Sequence, residues 1–374
     1  MLPRNRVTVA GQGSQRGVSP FALLLILCLA LAGCSSSSRP AAPEPTATVR
    51  PARTGHERGS ERPNRTSASH SAVQGGAVAG LLVEPDEGRD AIERAINGAQ
   101  RSVDLVVYLL SDRQTVAALK AVQGRGVKVR VMLEEHPYGG GPGNGAVAQD
   151  LHSAGIVTAW SNPTFRLTHQ KTLIIDDQSA WVMTLNLTAS AFTRNREFAV
   201  SITDPGAVTE IRQVFDADWN RQAVQPQQAS LVWSPTNSRT KTLSVIRGAK
   251  RTLDIYNEEM QDNETETALA QAAQRQVTVR VLMTGASGGS DANEPGRQRI
   301  RQAGVQVRLI DAPYIHAKML LADEGSDGAL AFVGSENISS ASLDQNRELG
   351  VLVNDAAHRQ RLHEVFDHDW AAAQ

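Results

Sequence analysis

His169-Gln-Lys171-Thr-Leu-Ile-Ile-Asp176 and His316-Ala-Lys318-Met-Leu-Leu-Ala-Asp323 are two copies of one pattern, HxK(x)4D. A β-strand has a side-chain period of two, so the His and the Lys of each copy point to the same face. The apolar residues between Lys and Asp anchor the strand in a core. A single buried histidine would most simply be a core residue, but the repetition favours a site that uses both copies.

The rest of the chain repeats at the same offset of about 150 residues. In each half, a helical pattern precedes an apolar strand, and a second helix precedes an alternating strand. Strand, helix and strand in this order predict parallel pairing with helices outside the sheet. We therefore predict one α/β domain present twice, at residues 77–224 and 225–374. The matching segments are 98–105 with 248–255, 125–133 with 275–283, and 214–219 with 365–370.

The N-terminus has the pattern of an export signal. Three arginines precede an apolar run at residues 21–32, which is short for a bilayer span and typical of a signal peptide. The run ends in Leu31-Ala-Gly-Cys34, which resembles the bacterial lipobox, where the cysteine is diacylated and becomes the first residue. We expect residues 1–33 to be a lipoprotein signal and Cys34 to be the membrane anchor. An ordinary signal peptide with an incidental cysteine is the alternative.

A tether is predicted at residues 34–76, since this stretch is rich in Ser, Pro, Thr, Ala and Arg and almost lacks large apolar side chains. The protein would then lie outside the cytoplasm, in the periplasm or at the cell surface, anchored to the cell membrane or the outer membrane. Residues 77–374 carry 29 basic and 36 acidic side chains, a formal net charge of −7. This acidic body argues against binding nucleic acid through its overall field.

Two HxK(x)4D motifs in a duplicated chain resemble the phospholipase D superfamily, and the resemblance covers roughly residues 80–372. The second motif is followed by Gly334-Ser335-Glu-Asn337 and by Asn346-Arg-Glu348. The first is followed by Met183-Thr184-Leu-Asn186 and by Asn195-Arg-Glu197, so Met-Thr replaces Gly-Ser, and Met adds a side chain where Gly would permit close backbone approach. The resemblance implies two α/β/α sandwich domains related by pseudo-twofold symmetry, with the active site at their interface.

The chemistry of a phosphodiester explains these residue types. Cations and hydrogen-bond donors must neutralise its oxygens in the transition state, and two histidines with an ordinary pKa near 6.5 can serve as nucleophile and acid. The resemblance implies a phosphohistidine on His169, with His316 as acid and base, and Glu197 and Glu348 orienting the rings; exposed surface glutamates are the alternative. It assigns phosphate binding to Lys171, Lys318, Asn186, Asn337, Thr184 and Ser335.

Asp176 and Asp323 fall on the opposite strand parity from their histidines, so we expect them to fix the strand ends. Tyr108, Glu258 and Glu259 stand at corresponding strand ends and are candidates for the pocket lining. We expect neither a metal nor another cofactor, because the lysines and asparagines already occupy the role of a cation.

The sequence thus predicts a phosphodiesterase that hydrolyses or transfers phospholipid headgroups. A nuclease of the same superfamily is the first alternative, with a local basic groove formed by Lys171, Lys318, Arg166, Arg196 and Arg347. A catalytically inactive surface binding protein is the second. Both motifs lie in one chain, so a monomer suffices for catalysis, while the oligomeric state stays open.

Overall fold

The structure is a computed structural model that describes residues 78–138, 143–286 and 289–374. The signal sequence, Cys34 and the tether predicted at 34–76 lie outside these residues. The first half contains β1 (Val78–Glu84), α1 (Asp90–Gly98), β2 (Ser102–Val107), α2 (Arg113–Gly124), β3 (Lys128–Leu133), α3 (Gly145–Ser153), β4 (Val157–Trp160), β5 (Lys171–Ile175), β6 (Ser179–Met183), α4 (Ala189–Thr193), β7 (Asn195–Ile202) and α5 (Pro205–Trp219).

The second half repeats this order with three short additional strands. It contains β8 (Leu231–Ser234), α6 (Ser238–Gly248), β9 (Thr252–Tyr256), β10 (Met260–Gln261), α7 (Asn263–Gln274), β11 (Thr278–Met283), α8 (Glu294–Gln302), β12 (Gln306–Leu309), β13 (Tyr314–Ile315), β14 (Met319–Ala322), β15 (Leu330–Gly334), β16 (Ile338–Ser339), α9 (Ser340–Asp344), β17 (Glu348–Val353) and α10 (Ala356–Ala372).

The same aspartates begin the same helices in both halves. Asp112 before α2 and Asp262 before α7 each accept a hydrogen bond from the backbone N–H three residues further on, and both distances are 2.9 Å. Asp204 before α5 and Asp355 before α10 do likewise, at 2.8 and 3.0 Å. Such N-caps satisfy donors that a helix leaves unpaired in its first turn. The duplication therefore extends to the local signals that set the helix boundaries.

Each half builds one sheet with the same strand order. The first sheet runs β4-β3-β2-β5-β6-β7-β1 and the second β12-β11-β9-β14-β15-β17-β8. In the first sheet, β4, β3 and β2 pair in parallel. All the other neighbours in the order given, from β2–β5 to β7–β1, pair antiparallel, and the second sheet follows the same pattern. The prediction of parallel pairing is confirmed for the strand–helix–strand units on which it was made, β2 with β3 and β9 with β11. The HxK strands, to which it did not extend, pair antiparallel. The reason lies in the connections: residues 176–178 join β5 to β6, and so short a link can join only antiparallel neighbours.

Helices cover the outer face of each sheet, and the inner faces share one core. Leu105 of β2 packs with α1 and α2, whereas its neighbour Val106 faces the shared core. This core combines apolar residues of both sheets with α5 and α10, including Phe215 and Phe366. The second sheet packs against α6 and α7 in the same way. The prediction of two α/β/α sandwiches from a duplicated sequence is confirmed, and the shared core joins them.

Asp176 and Asp323, the last residues of the two motifs, tie each motif strand to its neighbour. Both adopt the left-handed conformation, with φ of 56° and 55°, which Asp tolerates better than most residues. The carboxylate of Asp176 accepts the backbone N–H groups of residues 100–102 at 2.7 to 2.9 Å, and that of Asp323 those of residues 250–252 at 2.6 to 3.1 Å. Both therefore lock the start of β2 or β9 against the end of the motif strand.

Candidate active site

The two histidines meet at the seam between the halves. His169 comes just before β5, and its backbone N–H donates to the carbonyl of Arg347 at 2.9 Å. His316 comes just before β14, and its N–H donates to the carbonyl of Arg196 at 3.3 Å. In addition, β13 pairs with β7 of the first sheet. Each motif is thus held by the segment of the other half that ends in a glutamate.

Each imidazole contacts the glutamate of the other half. Nδ1 of His169 lies 2.9 Å from Oε2 of Glu348 and 3.2 Å from the carbonyl oxygen of Ser335. Nδ1 of His316 lies 2.8 Å from Oε1 of Glu197. Both carboxylates are fully buried. Because Nδ1 of each ring faces a buried carboxylate, Nε2 is the nitrogen left for a substrate.

A set of short polar side chains holds the two carboxylates in place. The Thr184 hydroxyl donates to Glu197 at 2.6 Å, and the Ser342 hydroxyl donates to Glu348 at 2.5 Å. The Ser335 hydroxyl accepts from the N–H of Leu349 at 3.2 Å. Thr184 and Ser335 are both fully buried. The contacts of these two hydroxyls are within the protein, and their phosphate-binding role stays a prediction.

The two motif lysines have different surroundings. Both Nζ atoms donate to the carbonyl oxygen of the histidine in their own motif, and both side chains are fully buried. Lys171 lies over the ring of Tyr108, with Nζ 5.1 Å from its centroid. Lys318 instead donates to Oε2 of Glu258 at 2.9 Å. Of the two, only Lys318 therefore has a carboxylate partner at hydrogen-bonding distance among the described contacts.

The pKa values of the site residues follow from burial and from the charges of their neighbours. Burial, and next the charge of Lys171, lower the pKa of His169 to about 4. Burial, and next Lys318, lower the pKa of Lys171 to about 7. Burial acts to raise the pKa of Glu348, but His169 and Lys171 outweigh it and hold that pKa below the usual range. In the free protein His169 is therefore a neutral imidazole beside an ionised carboxylate.

Asn186 and Asn337 follow β6 and β15 at the same seam. Each is mostly buried, and each carries an Oδ1 atom without a hydrogen-bond partner. Amides in this state are open to a ligand, because a buried polar group without a partner costs free energy. The free Oδ1 atoms are acceptors and fit a hydroxyl group of a ligand, whereas the oxygens of a phosphate would be bound by the Nδ2 donors of the same side chains.

Met183, the departure of the first motif from Gly-Ser, does not enter the site. It is fully buried in the outer core of the first sheet. A Cβ at its counterpart Gly334 would come within 2.4 Å of Glu336 Oε2 and 2.5 Å of the Gly350 Cα. The glycine therefore makes room for Glu336 and β17, and the close backbone approach that it permits is to Gly350 of that strand. In the first half Leu185 stands where Glu336 stands in the second.

Glu336 itself is a buried group that sequence reasoning missed. Both carboxylate oxygens lack a partner, and burial, together with the charge of Glu348, raises its pKa well above the usual range. Its surroundings therefore disfavour the ionised carboxylate. The signal that could have found it is the contrast with Leu185 at the same position of the repeat.

Arg196 and Arg347, which the nuclease alternative assigned to a basic groove, are instead engaged in buried ion pairs. Arg196 donates through Nε to Asp369 at 2.6 Å, and Arg347 lies 2.9 Å from Asp218. Both arginines are buried. Each ion pair links the two halves, because each arginine pairs with the last long helix of the other half. Their role is to hold the segments that carry Glu197 and Glu348.

Two further findings concern ligands and membranes. Among residues 78–138, 143–286 and 289–374, no group of three or more His, Cys, Asp or Glu side chains is arranged to hold a metal ion. Within the same ranges, none of the helices combines the length and the apolar character that a bilayer crossing requires.

The comparison with known families matches both halves of the chain. A family model described as "Cardiolipin synthase, PLD-like domain" matches residues 92–219 and 242–370. Each matched stretch contains one HxK(x)4D motif and the glutamate that follows it. The relationship inferred from these motifs is confirmed.

Similar proteins include enzymes named for phospholipid metabolism. Cardiolipin synthase B of Salmonella typhi is 27% identical over 329 residues, covering 75% of this chain and 78% of that protein. Cardiolipin synthase B of Escherichia coli (strain K12) is 26% identical over 336 residues, with the same coverage. The crystal structure of phosphatidylserine synthase from Haemophilus influenzae Rd KW20 is 11% identical, covers 79% of this chain and 86% of that chain, and has a TM-score of 0.60. This last likeness concerns the fold alone.

Proposed function

This chain belongs to the phospholipase D-like family that the matching model describes as cardiolipin synthase, PLD-like domain, and on that premise we propose that it hydrolyses or transfers a phosphatidyl group through a phosphohistidine at His169. The chain is a phospholipase D-like phosphodiesterase that acts on phospholipids. The observation that carries the proposal is the reciprocal pair of His–Glu contacts, at 2.9 and 2.8 Å, with two buried lysines beside them.

In the first step, Nε2 of His169 attacks the phosphorus. The P–N bond forms as the P–O bond to the headgroup alcohol breaks, and Nε2 of His316 gives its proton to the leaving oxygen. In the second step, water or an acceptor alcohol loses its proton to His316 and attacks the phosphorus, and the P–N bond breaks. Water gives hydrolysis, whereas an alcohol gives transfer.

The surroundings of the two rings support this division of roles. A nucleophile must be neutral, and the lowered pKa of His169, about 4, keeps that ring neutral. Lys171, Lys318, Asn186 and Asn337 then supply the charge and the donors for the phosphate oxygens. A bound phosphate should affect Lys171 most, because a nearby anion favours the charged ammonium form that burial disfavours.

The test is a headgroup-release assay with the full-length protein in detergent and vesicles that contain phosphatidylglycerol, chosen because the relatives are named cardiolipin synthase B. We expect glycerol release, with phosphatidic acid as the second product of hydrolysis or cardiolipin as that of transfer. His169→Ala should abolish release, whereas His152→Ala, at an exposed histidine of α3, should not change it. Efficient DNA degradation at physiological salt without headgroup release would instead favour the nuclease.

We also propose that Cys34 is lipidated after removal of residues 1–33 and that residues 34–76 tether the enzyme outside the cytoplasm. The sequence supports this through the apolar run and the Leu-Ala-Gly-Cys pattern. Two or more acyl chains bind a bilayer far more stably than one. Cys34→Ser should leave an unprocessed precursor on an immunoblot. A soluble, correctly cleaved protein from that variant would contradict the anchor, and cell fractionation would identify the membrane.

A further inference from the structure

The two histidines have different neighbours at one equivalent position of the repeat. Tyr108, which follows β2, and Glu258, which follows β9, occupy equivalent places in the repeat, since Asp104 and Asp254 align and each pairs with the equivalent arginine. The ring of Tyr108 lies against His169, with ring centroids 4.8 Å apart. The carboxylate of Glu258 lies against His316, with Oε2 3.5 Å from Nε2.

This carboxylate is held firmly in its place. Its Oε2 accepts from Lys318 at 2.9 Å, and its Oε1 accepts from the hydroxyl of Tyr314 at 2.9 Å. Tyr314 belongs to β13, which is paired with the first sheet. Burial acts to raise the pKa of Glu258, but Lys318 and His316 outweigh it and hold that pKa far below the usual range. Glu258 is therefore an anion fixed by Lys318 and by Tyr314, whose strand is paired with the first sheet.

The charges around the two histidines differ as a result. Lys171 and Glu348 face His169, and the more distant Lys318 adds a further positive charge. The charges of the two nearest groups, Lys171 and Glu348, cancel each other, so they balance when the His169 ring is neutral. Glu197, Glu258 and Lys318 face His316. These two carboxylates and one ammonium leave one excess negative charge beside His316. An excess negative charge suits the ring that must give a proton to the leaving alcohol, whereas the balanced charges beside His169 suit a nucleophile.

The position of Glu258 also orients the substrate. A carboxylate repels the oxygens of a phosphate but accepts a hydrogen bond from a hydroxyl. The charged oxygens are therefore directed toward Lys171 and the asparagines, and the leaving or accepting alcohol lies on the His316 side. The carboxylate that lies beside His316 therefore also favours an alcohol at that ring.

We propose that Glu258 is the positioning residue that assigns the two histidines their different roles, and that exchanging Tyr108 and Glu258 exchanges those roles. This inference rests on the proposed phosphohistidine mechanism. If it holds, the pair Tyr108 and Glu258 decides which histidine is the nucleophile, and the order of the two motifs along the chain does not.

The test maps the histidine that carries the phosphatidyl group. The full-length enzyme turning over phosphatidylglycerol vesicles is quenched in alkali, which preserves phosphohistidine, and its peptides are analysed by mass spectrometry. The wild type should carry the adduct on His169, and the Tyr108→Glu/Glu258→Tyr variant should carry it on His316. An adduct that stays on His169 in the exchanged variant overturns the inference alone. No adduct on either histidine of an active wild type overturns the proposed mechanism, and this inference with it.

A second measurement decides the matter if the exchanged variant is inactive. Glu258→Gln removes one of the two carboxylate charges beside His316, so the alkaline limb of kcat/KM should move to lower pH by about one unit. Glu264→Gln, at a half-exposed glutamate of α7 that pairs with Arg239 and Arg247, is the matched control and should leave the limb in place. A structural role alone would lower the rate without moving the limb, and an unmoved limb in Glu258→Gln overturns the inference.

Discussion

Asp369→Asn should destabilise the protein through a charge that loses its partner. Asp369 of α10 accepts from Arg196 Nε at 2.6 Å and Nη2 at 3.0 Å, and from the hydroxyl of Tyr256 at 2.7 Å. The two ion-paired side chains are only 3% and 1% exposed. The substitution keeps the shape of the side chain and removes its charge. It leaves the Arg196 guanidinium in the interior with much less compensation.

The expected magnitude follows from the remaining contacts of Arg196. Breaking a buried ion pair from one side costs about 3–5 kcal/mol. Arg196 keeps the carbonyl of Glu84 at 2.7 Å and the half-exposed Asp86 at 3.1 Å, and the new Asn retains one acceptor. We therefore expect the low end, about 3 kcal/mol, which corresponds to a fall in Tm of about 6 °C in a protein of this size.

Thermal and urea unfolding of the purified protein measure this loss. Asp367→Asn is the matched control, because Asp367 lies on the same helix, pairs with Arg280 at 2.8 Å and is 48% exposed. A pair of that kind contributes less than about 1 kcal/mol. The reasoning is refuted if Asp369→Asn unfolds within about 1 kcal/mol of the wild type, or if the control loses as much.

The acid dependence provides an independent check on the same pair. Burial acts to raise the pKa of Asp369, but Arg196 outweighs it and holds that pKa below its usual value. A lowered carboxylate pKa stabilises the fold at pH values above the unfolded value of about 3.9, and the contribution is lost as the pH falls through the folded value. The stability gap between wild type and Asp369→Asn should therefore be constant above about pH 5 and should narrow in stronger acid.

Three further predictions concern catalysis. His169→Ala and His316→Ala should each reduce headgroup release more than about tenfold, and the double variant should lose little more, because the two rings serve one reaction; strictly additive losses would contradict a shared site. Activity should survive EDTA, and loss with rescue by one divalent ion would contradict the assignment of phosphate charge to the lysines. The pKa of His169, lowered to about 4, keeps the ring neutral in weak acid, so kcat/KM should hold down to about pH 5; a fall centred near pH 6.5 would count against it.

The sequence predicted what depends on repetition and local pattern. The two HxK(x)4D motifs, the offset of about 150 residues and the apolar strands between Lys and Asp are local features, and they led to a duplicated α/β protein. The roles of Asp176 and Asp323 at strand ends followed from strand parity. The pairing of β5 with β2 did not follow, because the direction of a neighbouring strand depends on how the chain returns and not on its own side-chain pattern.

The crossed contacts of the site were beyond reach of the sequence for a different reason. Glu348 contacts His169 from 179 positions away, and Glu197 contacts His316 from the other half. The residues of one motif do not indicate whether its histidine contacts the glutamate of the same half or that of the other half. The pseudo-twofold packing of the two sheets decides it, through the backbone bonds that join each histidine to the arginine before the opposite glutamate. The difference between Tyr108 and Glu258 was visible in the sequence, but its meaning required the distance to Nε2.

The burial of the arginines bears on the choice between lipid and nucleic acid. Binding a polyanion requires many exposed cations, each of which releases a counterion from a phosphate. Of the five side chains considered for a basic groove, Lys171, Lys318, Arg196 and Arg347 are buried, and both arginines are neutralised by aspartates. Two lysines suffice for the single phosphate of a phospholipid, but they provide no track along a nucleic-acid backbone. Since residues 77–374 also carry a net charge of −7, the electrostatics disfavour a nucleic acid and are compatible with a single phosphodiester presented at a bilayer surface.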